Sequence, residues 1–182
     1  MLFDLIIIGG GPAGYTACER ARQAGFSVCC FEERNLGGVC LNEGCIPTKT
    51  LLYSAKILEL ASQGEKYGVS SQCQSIDHKK VLARKNKVVK TLVTGVKSML
   101  KANQVVLVEA HGEIKGKTEQ GYIVEANGES FIGKRLLIAT GSSPIFPPMP
   151  GLREGMENGF VLTSREVLSM ENQPKHLVVI GG

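Results

Sequence analysis

The 182-residue sequence predicts an α/β fold that has a central parallel sheet and a small antiparallel β-meander. Three observations predict this fold. An apolar run near the N terminus ends at consecutive glycines, helical periodicity follows directly, and short strands with Gly-containing turns return in the second half of the chain. Hydrophobic residues make up 43% of the chain and charged residues 21%, which favours a packed core over disorder.

The first 31 residues predict a strand, a helix and a second strand. Leu2–Ile8 is a nearly continuous apolar run, as in a buried parallel strand. Pro12–Ala24 repeats alanine on one helical face, which can pack closely on a sheet, and Ser27–Phe31 forms the next strand. This unit is half of a Rossmann-like sheet.

Between the first strand and the helix lies a glycine-rich turn, Gly9–Gly14, which satisfies the G-x-G-x-x-G pattern. Glycines there permit a tight turn and let a pyrophosphate approach the amides at the start of the helix. Glu32, after the second strand, would accept hydrogen bonds from ribose hydroxyls. The pattern predicts a dinucleotide site, the alternative being an ordinary turn. The positions expected to bind are Gly9, Gly11, Pro12, Ala13 and Gly14.

Two longer helices are predicted in the middle of the chain. Thr48–Ser62 has apolar residues at three- and four-residue spacing, and Asp77–Ala102 opposes an apolar stripe to a lysine-rich face. That face contributes much of the net charge of +4 and is interpreted as solvated surface. A basic helix for a membrane or a nucleic acid is the alternative, although no aromatic residue interleaves with the lysines.

Strands return after this helix, at Val105–Val108, Gly121–Glu125 and Phe131–Ala139, with predicted turns at Lys115-Gly116 and Asn127-Gly128. They predict the antiparallel meander and one more strand of the parallel sheet.

The last part of the chain predicts a second unit. Four prolines in Ser143–Pro150 indicate a linker, and Leu177–Ile180 is another apolar run before glycines, which predicts a strand. Residues 1–148 are therefore expected to form one domain. Residues 149–182 are expected to be the linker and the first strand of an NAD-binding domain, so the chain is expected to be part of a longer protein.

Composition predicts a cytoplasmic protein. Leu2–Ile8 is too short for a membrane span, and it lacks the basic leader of a signal peptide. Four of the six cysteines have apolar or unremarkable neighbours and are predicted to be free thiols, as unpaired cysteine behaves as a small hydrophobe. These are Cys18, Cys29, Cys30 and Cys73.

Cys40 and Cys45 bound a Gly-containing segment, here called the cysteine loop (Cys40–Cys45), which Pro47 and Lys49 follow closely. In a regular helix their Cα atoms would lie about 8.7 Å apart, whereas a disulfide needs less than about 7 Å. If the two are bonded, the backbone between them is not regular helix, and Pro47 fits the first turn of the next helix. Zinc is the alternative. No metal site is predicted, because C-x4-C is not a zinc-knuckle spacing and no nearby pair supplies two further ligands.

The segment from Leu36 to Lys49, LGGVCLNEGCIPTK, resembles the active-site signature of the pyridine nucleotide-disulfide oxidoreductase family. The resemblance covers the whole chain and includes the glycine-rich turn, the lysine-bearing helix, the turn at 110–112 and the ATGS sequence at 139–142. It implies an FAD-binding domain with a redox-active disulfide between Cys40 and Cys45.

The resemblance also implies roles for single residues. Cys45 would be the thiol beside the flavin, and Cys40 the more accessible thiol that exchanges with substrate. Glu32 would bind the adenosine ribose, with Glu33 as the alternative because the loop that follows is short for the family. The other implied FAD contacts are Gly38, Val39, Cys40, Lys49 at the reactive edge of the flavin, Gly112 by the adenine, and Thr140, Gly141 and Ser142 along the cofactor.

Leu41-Asn42 and Ile46-Pro47 favour the family members that oxidise dihydrolipoamide, free or on a lipoyl domain, with NAD as electron acceptor. A glutathione or mercuric reductase, or an inert FAD-binding fragment, is the alternative. The family's catalytic histidine matches no residue here, so residues 1–182 alone are expected to be inactive. The resemblance implies a homodimer for the longer protein, and neither a nucleic acid nor a membrane is expected as a partner.

Overall fold

The computed structural model of the chain describes residues 1–72 and 75–181. Its strands are β1 Leu2–Ile8, β2 Val28–Phe31, β3 Val106–Val108, β4 Glu113–Thr118, β5 Gly121–Ala126 and β6 Glu129–Ile138. Its α-helices are α1 Pro12–Gln23, α2 Gly38–Asn42, α3 Cys45–Ser62, α4 His78–Ala102 and α5 Leu152–Glu157. Short 3₁₀ turns lie at Gly64–Tyr67 and Glu166–Ser169.

The six strands form one sheet in the order β3-β2-β1-β6-β5-β4. β1 pairs in parallel with β2 and β6, and β2 pairs in parallel with β3. β5 pairs antiparallel with both β4 and β6. The predicted parallel sheet and antiparallel meander are both confirmed. β6 joins them, because its first half pairs with β5 and most of its length pairs with β1.

Alternation along β1 and β2 divides the core between the two faces of the sheet. One face packs Ile7 and Cys30 against Cys18 of α1 and Leu100 of α4. The other face packs β1 and β2 against the meander through Phe3, Ile6, Ile8, Cys29, Phe31, Val124, Ala126 and Phe131. The central parallel strands β1 and β2 are therefore covered on both faces, which places their carboxyl ends at the rim of the core.

The predicted helices are confirmed, with local causes for their ends. α1 stops before Gly25, whose φ of +83° suits glycine. α4 begins after Asp77, whose side chain accepts a hydrogen bond from the Lys80 amide at 3.1 Å. None of the helices in the described ranges is long and apolar enough to cross a bilayer.

Two boundaries near the cysteines differ from the sequence prediction. α3 begins at Cys45 and not at Thr48, and the short helix α2 was not predicted. The backbone between the cysteines is irregular, as a disulfide between them would require, because Glu43 and Gly44 have non-helical backbone angles and separate the two helices.

The prediction of a turn at Lys115-Gly116 is wrong. Both residues lie within β4, which the sequence did not predict as a strand. The register of β4 on β5 shifts between Ile114 and Gly116, and Gly116 has a φ of +149°. Its glycine therefore serves a β-bulge inside the strand. The turn at Asn127-Gly128 is confirmed, with both φ values positive.

No strand is formed at Leu177–Ile180 in the described structure. These four residues have no regular structure, and each is at least 60% exposed. A strand needs a neighbouring strand to satisfy its backbone groups, and no strand in the described part of the chain pairs with this segment. The division into domains 1–148 and 149–182 stays a prediction.

Candidate functional site

The glycine-rich turn connects β1 to α1 through positions that exclude side chains. Gly9 has a φ of +107°, and a Cβ there would collide with the carbonyl of Ala139. A Cβ at Gly14 would collide with the carbonyl oxygen of Gly9. The turn is therefore built from backbone at close contact, as a phosphate-binding turn requires.

The start of α1 offers backbone donors to an anion. Gly11 is the N-cap, and Pro12 occupies the first turn, where the lack of an N–H costs no helical hydrogen bond. The amides of Ala13 and Gly14 are among the first N–H groups of the helix, which have no acceptor within it. No acidic side chain lies in this first turn. The positive end of the helix is thus available for a phosphate.

Glu32 lies at the carboxyl end of β2 and is fixed by two backbone donors. Its Oε2 accepts a hydrogen bond from the Gly10 amide at 2.8 Å, and its Oε1 accepts one from the Arg34 amide at 2.8 Å. Each carboxylate oxygen keeps a further lone pair for a ligand hydroxyl. Glu33 is exposed and pairs with His111, whose Nδ1 lies 2.6 Å from the Glu33 carboxylate.

A cavity of about 560 Å³ runs along this edge of the sheet, within the range of small-molecule sites. It brings together most of the site residues that the sequence predicts. Its lining includes Gly9, Gly11, Pro12, Ala13, Glu32, Glu33, Gly38, Val39, Cys40, Gly112, Thr140, Gly141 and Ser142. Gly14, Cys45 and Lys49 do not line it.

Two further glycines shape the cavity walls. A Cβ at Gly38 would come within 2.7 Å of the Gly11 Cα, so α2 can approach the glycine-rich turn only through glycine. A Cβ at Gly112 would come within 2.9 Å of the Phe31 ring. The turn at 110–112 therefore packs closely on the end of β2 and lines the cavity there.

The cysteines lie on either side of the break between α2 and α3. Cys40 belongs to α2, Cys45 is the first residue of α3, and Pro47 is buried in the first turn of α3. Both cysteines are free thiols in the structure. Cys45 therefore lies at the start of α3, and Lys49 lies near Cys40.

The two thiols interact directly. The hydrogen bond between Cys40 and Cys45, together with partial burial, raises the pKa of the Cys40 thiol, while the nearby Lys49 ammonium opposes that rise. Cys45 is exposed and Cys40 is half-buried. The expected order of accessibility is thus reversed in the described structure, because Cys45 projects from the free start of α3.

The cysteine loop also carries an ion-pair cluster that was not predicted from the sequence. The carboxylate of Glu43 lies 2.6 Å from Arg34 and 2.8 Å from Nε of Arg165. All three residues line the cavity. The position of Glu43 between the two cysteines could have indicated a role, whereas nothing local in the sequence joins Arg165 to the loop.

The other cysteines are structural where they are described. Cys18, Cys29 and Cys30 are free and fully buried, and burial raises the pKa of Cys29 to about 12. Cys73 lies outside the described residues. Across residues 1–72 and 75–181, no group of three or more His, Cys, Asp or Glu side chains could hold a metal ion.

Comparisons with known proteins agree with this geometry. The family profile described as "Pyridine nucleotide-disulphide oxidoreductase" matches residues 3–182. A dihydrolipoyl dehydrogenase of Acholeplasma laidlawii is 45% identical over 181 residues, which are 99% of this chain and 53% of that protein. A dihydrolipoyl dehydrogenase of Mycoplasma pneumoniae is 41% identical over 183 residues, which are 100% of this chain and 39% of that protein.

A solved structure is also similar. The HOCl-induced flavoprotein disulfide reductase RclA of Escherichia coli, solved as a Cu(II) complex, has a TM-score of 0.71 and 26% sequence identity, covering 92% of this chain and 34% of that chain. This chain thus spans about half or less of the length of the proteins that it matches.

Proposed function

This chain belongs to the pyridine nucleotide-disulphide oxidoreductase family, and we propose that it is the FAD-binding, disulfide-carrying part of an enzyme that oxidises dihydrolipoamide to lipoamide with NAD+. The observation that carries the proposal is the position of the cysteine loop. It lies between two helices at the wall of a cavity whose other wall is a phosphate-binding turn. The dihydrolipoyl dehydrogenases among its relatives support the choice of substrate.

The cavity residues fit FAD. The backbone of the glycine-rich turn and the free amides at the start of α1 suit a pyrophosphate. Glu32 keeps acceptor capacity for the adenosine ribose, and the closely packed turn at Gly112 suits the adenine. Thr140–Ser142, at the end of β6, would follow the cofactor from the pyrophosphate towards the flavin. When bound, FAD supplies a two-electron carrier between the disulfide and NAD+.

In the proposed reaction the Cys40–Cys45 disulfide accepts two electrons from the substrate. A substrate thiolate attacks the Cys40 sulfur, the Sγ–Sγ bond breaks, and Cys45 leaves as a thiolate. The second substrate thiol then attacks the mixed disulfide, so lipoamide departs with its own ring disulfide and Cys40 regains a thiol. The substrate loses two electrons and two protons, and NAD+ finally takes up a hydride, leaving one proton in solution.

Lys49 would act on this pair electrostatically. Its ammonium lowers the pKa of Cys40, against the effects of Cys45 and burial. The same cation would stabilise the Cys45 thiolate released when the disulfide opens. Together with the first amides of α3, it provides the positive surroundings that a leaving thiolate needs.

The proposal extends to location, assembly and domain structure. The buried free thiols Cys18, Cys29 and Cys30 support a cytoplasmic protein, because the cytosol keeps thiols reduced. A homodimer of the full-length protein is supported by the family alone. Residues 1–148 would be the FAD-binding domain, and 149–182 would lead into an NAD-binding domain.

The test uses the full-length protein that contains this chain. Purified protein should carry FAD, and anaerobic addition of dihydrolipoamide should reduce the Cys40–Cys45 disulfide and change the flavin absorbance spectrum, with NADH formed when NAD+ is added. Turnover with glutathione disulfide or Hg(II) and NADPH, without dihydrolipoamide oxidation, would assign the enzyme to another branch of the family. A protein without flavin would refute the proposal.

A further inference from the structure

The charged cluster on the cysteine loop has one residue from a distant part of the chain. Arg165 precedes the 3₁₀ turn Glu166–Ser169, and Glu43 lies between the two cysteines. Glu43 Oε2 is buried and has no hydrogen bond from any described residue; its charged partner is Nε of Arg165 at 2.8 Å. A buried carboxylate is costly unless a cation stands beside it, so this ion pair neutralises the charge.

Arg165 also contacts the far wall of the cavity. Its guanidinium nitrogen Nη2 donates a hydrogen bond to the carbonyl oxygen of Ser142 at 3.2 Å and lies 3.5 Å from the Ser143 hydroxyl oxygen. The guanidinium therefore spans the gap between the cysteine loop and the segment that leaves β6. Its planar donors can serve both sides at once, which a lysine ammonium does less well.

Arg165 is itself held in place by its neighbours. The Arg165 amide donates to Thr163 Oγ1 at 3.1 Å, and the Thr163 amide donates to the Glu166 carboxylate at 2.7 Å. The Arg165 side chain is only 19% exposed. The side chain is thus preorganised over the loop rather than free in solvent.

We propose that Arg165 is a positioning residue for the redox pair: it clamps the cysteine loop to Ser142–Ser143 and neutralises Glu43 beside the two thiols. This inference rests on the proposed disulfide chemistry and adds to it a residue outside the family signature. Arg34 supports Glu43 from the solvent side, with its side chain 53% exposed. Arg34, Glu43 and Arg165 thus form one ion-pair cluster on the loop that carries both thiols, and Lys49 acts directly on Cys40.

Because Arg165 and Glu43 carry opposite charges, removing one or the other should shift the pH midpoint of thiol alkylation in opposite directions. Removing Arg165 leaves Glu43 with Arg34 as its one remaining cationic partner among the described residues, so more of the carboxylate charge acts on the loop and disfavours the thiolate. Removing the Glu43 charge leaves the cations uncompensated and favours the thiolate. A role confined to folding would not move the two variants in opposite directions.

The experiment measures the pH dependence of alkylation of the reduced pair in the full-length protein. Iodoacetamide is the probe, and the peptide containing Cys40 and Cys45 is followed by mass spectrometry. Arg165→Met should raise the pH midpoint of alkylation by about half a pH unit or more, and Glu43→Gln should lower that midpoint by a similar amount. The double variant should return close to the unchanged protein. Arg153→Met, an exposed arginine of the same segment, should have no effect.

Equal midpoints in all variants, or shifts of the same sign, would overturn the proposal. If Arg165→Met does not fold, Arg165→Lys replaces it. That variant keeps the positive charge, so the pH midpoint of alkylation should not change. Its contacts to the cysteine loop and to Ser142–Ser143 should be weaker, and the disulfide should therefore be reduced more slowly. Alkylation requires neither flavin nor NAD+, so its outcome is independent of whether dihydrolipoamide is the substrate.

Discussion

The glycine-rich turn and the cysteine loop face the same cavity, yet they are held by different kinds of interaction. The turn is held by backbone contacts, among them a hydrogen bond that the Gly9 amide donates to the Phe31 carbonyl oxygen at 2.8 Å. The cysteine loop is held by side chains, chiefly Glu43 between Arg34 and Arg165. The first arrangement tolerates no added side-chain atom at Gly9 or Gly14, and the second depends on balanced charge.

This difference suits the two tasks that we propose. A pyrophosphate needs fixed amide dipoles, which backbone supplies without reorganisation. A disulfide that opens and closes needs a thiol whose proton affinity is tuned, and charged side chains can tune it. We therefore expect substitutions in the cysteine loop to alter chemistry, and substitutions in the glycine-rich turn to alter folding and cofactor retention.

The largest expected effect is on chemistry alone. In the full-length protein, Cys40→Ser and Cys45→Ser should each lower dihydrolipoamide oxidation by a factor of at least about 1,000, because exchange needs both sulfurs. Cys18→Ala removes a buried thiol outside the cavity and should keep turnover, at some cost in stability. Turnover is measured as NADH formation.

The same variants assign the two thiols. A Cys45 thiolate beside oxidised flavin should give a long-wavelength absorption band, which Cys40→Ser should keep and Cys45→Ser should lose. If the band survives only in Cys45→Ser, the roles are reversed. The measurement is needed because Cys45 is the more exposed thiol in the structure, whereas the expected roles make Cys40 the more accessible one.

The glycine-rich turn should show the converse, a loss of folding stability. Gly14→Ala drives a methyl group into the Gly9 carbonyl and should lower the free energy of unfolding by about 3 kcal/mol, with loss of FAD binding. Gly95→Ala is the matched control, because Gly95 lies exposed within α4 with open space around it. That change should stabilise the protein by up to about 1 kcal/mol in urea unfolding.

A smaller effect should separate the two glutamates after β2. Glu32→Ala should weaken FAD binding by about tenfold, as expected for one charged hydrogen bond and the lost support of the Gly10 amide. Glu33→Ala should have little effect, because Glu33 pairs with His111 at the surface. Flavin release during gel filtration ranks the variants. The opposite ranking would move the ribose contact to Glu33.

The smallest effect concerns the other end of β1, which side chains do stabilise. Lys134, then Ser27, hold the pKa of Asp4 below its usual range. Because the pKa of Asp4 is lower in the folded protein than in the unfolded chain, the Asp4 carboxylate stabilises the fold at any pH above the unfolded pKa of about 3.9. This stabilisation is lost as the pH falls from there towards the pKa of the folded protein. Asp4→Asn should therefore make the urea midpoint of unfolding fall less steeply between about pH 5 and pH 2 than it does in the unchanged protein. Equal slopes of urea midpoint against pH in the two proteins would contradict the prediction.

Local patterns in the sequence were enough to predict the glycine-rich turn, its strand and its helix. Gly9 and Gly14 act on neighbours within a few residues or on the adjacent strand, so their spacing carries the information. The strand predicted at Leu177–Ile180 from the same kind of apolar run is not formed in this structure, because a strand also needs a partner that the pattern does not specify. β4 was missed for the opposite reason, since its exposed residues show no hydrophobic alternation.

The sequence by itself therefore determined the α/β class, the glycine-rich turn and the spacing of the two cysteines, because short-range periodicity and steric limits on glycine and proline fix them. Tertiary structure decided that β6 joins the meander to the parallel sheet, that Cys45 is the more exposed thiol, and that Arg165 lies on Glu43. These contacts join residues that are far apart along the chain. Long-range ion pairs form wherever folding brings buried charges together, and no local spacing encodes them.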